Sequence, residues 1–358
     1  MTRIGVRAFV AAVVVAVAGG IASADGFGSL PQDRKPQFGA YDMAISQEGL
    51  PEGWKMQPAG APSDDAKAIN AEAKAATEAA KAKASPVERI ATTADGKTVS
   101  LVLLDADEEG IAFAKEMETR AGAKGWTLVR LGTPWRLLVV AGPEPARKAA
   151  VDAQVRYAAK MLGVTASSAI EARRGTRALA YALGAAAIDP KNATAQYILG
   201  RIALEAASRE EGGIKFEDAV PRLRAALDKE AHEPLTGEET FHARHFLGDA
   251  LLQLKNADSD KEARDLYKTA MAASKDADRP SLLGLRYNLA CAHARLKELD
   301  DAFTHLTAVL EEDKKETVPG IQHWPKDPDF ENLKADPRWK TLLEKFPPPA
   351  GGGDDGGN

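Results

Sequence analysis

The sequence predicts a mainly α chain in which a small N-terminal α+β domain precedes an α-solenoid of paired helices. Three observations carry this. Four strand-like runs lie between Val87 and Ala141, interleaved with helical spacing. From about Thr165 the strand signals stop, and the chain reads as helix or turn to Phe346. Between Asp189 and Glu311 a helix-pair pattern returns three times, at Tyr197-Ile198-Leu199-Gly200, Phe246-Leu247-Gly248 and Asn288-Leu289-Ala290. Each is followed by a second helix that opens on a small residue: Ala219, Ala263 or Ala302.

Residues 1–24 read as a secretory signal. Arg3 and Arg7 form the basic start, Ala8 to Ala18 the apolar run, and Ala22-Ser23-Ala24 the small-x-small cleavage pattern, with Ala24 the last residue removed. The run is shorter than the ~20 residues that span a bilayer. The expected location is therefore the periplasm or the outside of the cell, with no membrane span once the signal is removed. Residues 25–53, rich in Gly, Pro and Gln, read as a flexible leader, with Trp54 tucked onto the domain that follows.

The α+β domain is expected over residues 54–163. Its Ala- and Lys-rich stretch, 63–85, reads as a helix capped by Ser63 or Asp64 and ended by Pro86. Only Ile69 is large and apolar there, which predicts a solvated arm or insertion rather than core. Asp95-Gly96 between Val87–Thr92 and Thr98–Leu104 predicts a hairpin. A helix follows, capped by Asp105 or Asp107, with Ile111, Ala114, Met117 and Ala121 on one face. Strands Trp126–Leu131 and Trp135–Ala141 flank Gly132-Thr133-Pro134. A last helix carries Val151, Val155, Ala158 and Leu162, with Gly163 as its C-terminal cap. The order predicts one antiparallel sheet covered on one face by two helices.

The helix-pair region is expected over residues 165–313. Its last copy is the best formed: Tyr287-Asn288-Leu289-Ala290-Cys291-Ala292-His293-Ala294-Arg295-Leu296, then Leu299-Asp300-Asp301-Ala302. The middle copy runs from Leu247, Gly248, Leu251 and Leu254 to Ala263, Tyr267 and Ala270. The first runs from Leu199, Gly200 and Ala203 to Ala219, Leu223 and Ala226, with a longer turn through Glu211-Gly212-Gly213. A half-copy precedes them at Ala178, Ala182, Ala185 and Asp189-Pro190. This pattern resembles the tetratricopeptide repeat (TPR) family, in particular exported bacterial members, over about two-fifths of the chain. The resemblance implies that the small residues let paired helices approach closely, and that Leu306 and Val309-Leu310 bury against the next element. Irregular turn lengths and Pro221 early in a second helix depart from the family pattern. Residues 314–346 then read as a terminal cap, with Phe330, Leu333, Trp339, Leu342, Leu343 and Phe346 in a pair of short helices. Residues 347–358 read as a disordered Pro/Gly/Asp tail.

The resemblance also implies a concave groove lined by the first helix of each pair. On this chain its residues are Tyr197, Arg201 and Glu205, then His242, His245, Asp249 and Gln253, then Tyr287, Cys291 and Arg295. Tyr, Arg and His combine area with directed hydrogen bonds and suit an extended peptide. Tyr197 and Arg201 replace the Lys and Asn with which some members grip a C-terminal carboxylate. A second reading is a periplasmic ligand- or metal-binding protein that uses the His242 and His245 region, where the two histidines with Glu238 and Glu239 one turn earlier could ligate a metal. His293 stands where the repeat has a buried aromatic and is expected in the core, as is Cys291.

Composition narrows the function. The chain has 47 basic and 52 acidic residues, a net charge of −5, and loses Arg3 and Arg7 with the signal. That balance has no electrostatic footprint for nucleic acid. The single cysteine, Cys291, excludes an internal disulfide framework. There is no phosphate loop, nucleophile elbow, HExxH or CxxC, and residues 54–163 contain no histidine. The expected protein is not an enzyme and uses no cofactor or resident metal. It is an exported scaffold that binds a protein or peptide.

Overall fold

The structure, a computed structural model, describes residues 44, 46–58, 62–106, 110–131, 136–172, 175–273, 279–313 and 321–347. The leader read as a signal, Asp107, the Gly132-Thr133-Pro134 turn, Trp135 and all of the tail beyond Pro347 lie outside these residues. Two compact units are present. One holds the described residues up to Ile202 together with Asp228–Pro234; the other holds Ala203–Leu227 and those from Leu235 onward.

In the first unit a five-stranded sheet has the order β1-β2-β3-β5-β4, every neighbouring pair antiparallel. The strands are β1 (Lys55–Met56), β2 (Ala84–Thr92), β3 (Thr98–Ala106), β4 (Thr127–Arg130) and β5 (Arg136–Ala141). The β2–β3 hairpin turns at Asp95-Gly96 with Gly96 at φ +83°, the backbone region that glycine enters freely. Pro86 lies inside β2 rather than ending a helix.

Alternation along β3 and β5 sorts their side chains onto two faces. Val102 and Leu104 with Leu137, Val139 and Ala141 share a core with Phe113, Ala114 and Met117 of α2 (Gly110–Lys124). Ala66, Ile69, Ala73 and Ala76 of α1 (Asp64–Ala80) belong to the same core. The Ala-rich helix is therefore a packed layer and not a solvated arm. Alanines at helical spacing let its axis lie close to the sheet, and Ser63 caps it by accepting from Ala66 N at 3.0 Å. Leu101, Leu103, Leu138 and Val140 are buried on the other face, where α3 (Glu144–Glu171) packs on β3, β4 and β5. The sheet is thus covered on both faces, correcting the one-sided expectation.

Helix α3 also overrides the expected stop at Gly163 and continues to Glu171. A Cβ at Gly163 would lie 3.1 Å from Asn192 Oδ1 and 3.4 Å from Thr194 Cβ. This glycine serves a close approach and caps nothing. Beyond it α3 pairs with α4 (Gly175–Ile188), whose Ala178, Ala182 and Ala185 are fully buried. Helix α5 (Ala193–Ser208) starts at Asn192, whose Oδ1 accepts from Ala195 N at 2.8 Å.

The second unit is a succession of packed helices: α6 (Phe216–Ala226), α7 (Gly237–Leu252), α8 (Ala257–Ala272), α9 (Arg279–Arg295) and α10 (Leu299–Asp313). Each packs on the next in the chain, and α9 also touches α7, the arrangement of stacked α-hairpins. Thr236 caps α7 and Asn256 caps α8, each accepting from the backbone N–H three residues on. Ala219, Ala263 and Ala302, the small residues of the second helices, are fully buried. Two 3-10 segments, Ile321–Lys326 and Pro328–Leu333, and α11 (Pro337–Lys345) complete the unit, three short elements instead of a pair. Phe330 and Leu333 are buried, and the Trp324 and Trp339 rings meet edge-on at 4.8 Å.

His293 is fully buried between α9 and α10. Its Nδ1 lies 2.5 Å from Glu298 Oε2 and 3.7 Å from Asp301, and its ring stacks on His305 at 5.5 Å. Glu298 also accepts from Arg264 of α8, while Lys268 of α8 and Arg286 of α9 add positive charge nearby. Burial pushes both histidines below their ordinary value, outweighing the pull of Glu298 on His293; for His305, the His293 charge pushes the same way. A depressed histidine pKa means the unfolded chain takes up protons first. Stability is complete above the ordinary value of about 6.5 and is lost as pH falls below it. The melting temperature is expected to drop between pH 7 and 5, with a shallower drop in His305→Gln. Equal slopes in the two proteins would assign the acid sensitivity to other groups.

Candidate functional site

The second unit contains a cavity of about 390 Å³ on the side of the first helices. Its wall is built from Leu204 and Ser208 at the end of α5, Phe216, then Asp249, Leu252 and Gln253 at the end of α7. Tyr287, Cys291 and Arg295 project from successive turns of α9, with Asn288 next to Tyr287, and Asp327-Pro328-Asp329 closes the far side. Lys255 joins from the α7–α8 turn, where its own backbone is left-handed at φ +53°.

Polar contacts hold this wall. Asp249 Oδ1 accepts from Tyr267 Oη of α8 at 2.8 Å and from Asn288 Nδ2 of α9 at 2.7 Å. Tyr287 Oη donates to Asp327 Oδ2 at 2.6 Å, and Asp329 N donates to Asp327 Oδ1 at 2.9 Å. Arg295 Nη1 donates to Leu252 O at 2.7 Å and lies 3.5 Å from Asp329, while Nη2 lies 3.0 Å from the buried Asp260. Burial and then the Asp327 charge push the Asp329 carboxyl up, opposed by Arg295. Burial and the two carboxylates likewise hold the Cys291 thiol well above the usual range, so at neutral pH it is a thiol and a poor nucleophile. Tyr287 is raised by burial first and stays protonated as a donor.

Of the expected groove residues, Asp249, Gln253, Tyr287, Cys291 and Arg295 line this cavity together. Glu205 is exposed in the same unit, 4.0 Å from Arg209. His242 and His245 face elsewhere. The His242 ring stacks on Phe246 at 5.9 Å, and the mostly buried His245 meets Tyr267 edge-on at 6.1 Å. Their Nε2 atoms lie 4.0 Å from Glu238 and 3.6 Å from Asp249, and they share no ligand cluster among the described residues. Tyr197 and Arg201 belong to the first unit, where Tyr197 is buried.

Sequence reasoning missed Asn288, Lys255, Asp327 and Asp329 as wall residues. Asn288 stands next to Tyr287 in the repeat, and its amide was available as a signal. Asp327 and Asp329 alternate around Pro328 just before the buried Phe330, and that aromatic drew the segment to a packing role.

No family model matches the chain, and no curated protein matches it. Among solved structures the chain is similar to YrrB, a TPR protein with an unusual peptide-binding site, at 18% identity and a TM-score of 0.35. The match covers 52% of this chain and 92% of that one. A likeness of this degree identifies no family.

Proposed function

We propose that this chain is a non-enzymatic interaction scaffold whose second unit binds an extended segment of another protein in the α7–α9 cavity. The observation that supports it is the cavity itself: side chains from successive first helices converge on one concavity, with aromatic area from Phe216 and Tyr287 beside fixed hydrogen-bonding groups. The thiol there is deactivated, and the cavity wall holds no histidine to serve as a general base. Export is part of the reading and rests on Arg3, Arg7, the apolar run and Ala22-Ser23-Ala24. No described helix is long and apolar enough to cross a membrane.

The test is a photo-crosslinking amino acid placed at the exposed cavity residue Gln253 and, as control, at the exposed Lys268 of α8. In the native host, position 253 is expected to yield a discrete adduct with another chain and position 268 none. Adducts from both positions alike, or from neither, would place binding away from the cavity. The mass of the mature N-terminus tests export directly: a start at Asp25 is expected.

A further inference from the structure

We propose that Cys291, Asp327 and Asp329 form a binding site for a divalent transition-metal ion of the zinc class at the floor of the α9 cavity. One ligand atom from each of the three residues lies within 4.8 Å of the other two, close enough for one ion to bind all three. The residues come from two elements that the fold brings together, a turn of α9 and the start of the Pro328–Leu333 segment. All three line the cavity, so a water or partner group can complete the coordination from that side.

A second observation points to a ligand. The Cys291 side chain is 2% exposed and lines the cavity, with its sulfur within 4.8 Å of an oxygen of each carboxylate. Two carboxylates crowd it, and of the two cations that act on Asp329, Lys255 and Arg295, the second is divided between Asp260, the Leu252 carbonyl and a 3.5 Å contact with Asp329. A dication supplies the missing positive charge. Each Asp327 oxygen accepts one hydrogen bond, from Tyr287 or from Asp329 N, and keeps a second lone pair for a metal. The Tyr287 hydroxyl then orients a ligating carboxylate, as outer-shell donors do in metal sites. One sulfur with two oxygens favours zinc or cobalt over magnesium or calcium, which take oxygen alone. Binding releases the thiol proton and weakens as pH falls.

The site is distinct from the His242 and His245 pair and does not depend on the partner-binding reading. The experiment uses the full chain, reduced and freed of metal, titrated with Co²⁺ alone and then with Zn²⁺ in competition. One equivalent of Co²⁺ is expected to bring up a thiolate-to-metal charge-transfer band, which Zn²⁺ abolishes. Cys291→Ser should remove the band. Tyr287→Phe should keep it with affinity about 10- to 100-fold weaker, and Asp329→Asn, which removes a ligand, should weaken affinity at least as much. His242→Ala/His245→Ala should bind as wild type. Absence of the band from the folded wild-type chain overturns the proposal. So does retention of full affinity in Asp329→Asn, or loss of binding in the double histidine variant. These readouts need no partner and crosslinking needs no metal, so either idea can fail alone.

Discussion

Gly248→Leu is expected to destabilise the second unit more than any change at an exposed cavity residue. A Cβ at position 248 would lie 2.4, 2.7 and 3.0 Å from three carbons of the Tyr267 ring, well inside van der Waals contact. The ring has no room to yield: Tyr267 is fully buried, and its hydroxyl is tied to Asp249. Even alanine forces the α7 and α8 axes apart, and leucine adds a branch where no space exists. Overpacking of this kind costs about 1–3 kcal/mol, and the clash of the Cβ itself with the Tyr267 ring puts leucine at or above the upper end. Denaturant unfolding of Gly248→Ala, Gly248→Leu and Gly248→Leu/Tyr267→Ala measures it. The double variant should recover part of the loss, a coupling that only residues in contact show. A Gly248→Leu protein that unfolds with the wild type would place α7 against α8 in another register.

Arg295→Met is expected to cost a comparable or larger amount, by a different route. The guanidinium bridges three elements: the Leu252 carbonyl at the end of α7, Asp260 on α8, and Asp329 beyond α10. Asp260 is buried, and burial already pushes its carboxyl up against the pull of Arg295. Removing the cation leaves a buried carboxylate unpaired, which costs about 3–5 kcal/mol, whereas replacing both partners with apolar residues is often close to neutral. Arg295→Met/Asp260→Leu should therefore be more stable than Arg295→Met alone. The pH dependence has a definite sign. Without Arg295 the folded-state pKa of Asp260 rises further above its unfolded value, so the penalty is full at neutral pH and shrinks as acid protonates the carboxyl. A gap between variant and wild type that stays constant from pH 7 to 4 would remove Asp260 from this account.

The repeat was legible because its signal is order: Leu247-Gly248 before Ala263 and Leu289-Ala290 before Ala302 fix which helix faces meet. The resemblance then named Asp249, Gln253, Tyr287 and Arg295, which line one cavity. It failed for His245, because spacing gives a face but not how far that face is already filled by Phe241, Phe246 and Tyr267. The Ala-rich helix α1 was misjudged for a related reason. Counting large apolar residues finds only Ile69, while the burial of Ala66, Ala73 and Ala76 depends on how near the sheet comes. Gly163 carries the same ambiguity. A glycine after apolar helical spacing signals a cap, and only the approach of Asn192 and Thr194 reveals a contact instead. Asp327 and Asp329 join the wall from where two 3-10 turns meet, a placement that no local pattern encodes.

Asp249 joins two roles that are usually separable. One of its oxygens fastens Tyr267 of α8 and Asn288 of α9, while the residue itself faces the cavity. An occupant that reaches Asp249 therefore touches the same carboxylate that closes the α7–α8 contact, and its binding and folding become linked equilibria. A ligand that binds only the folded unit at a hundred times its dissociation constant adds about 2.7 kcal/mol to stability. Melting is thus a reporter of the cavity's contents. Peptides or ions can be screened by thermal shift before the natural occupant is identified, with Gly248→Ala as a sensitised background in which a weak ligand moves the transition from a lower starting point.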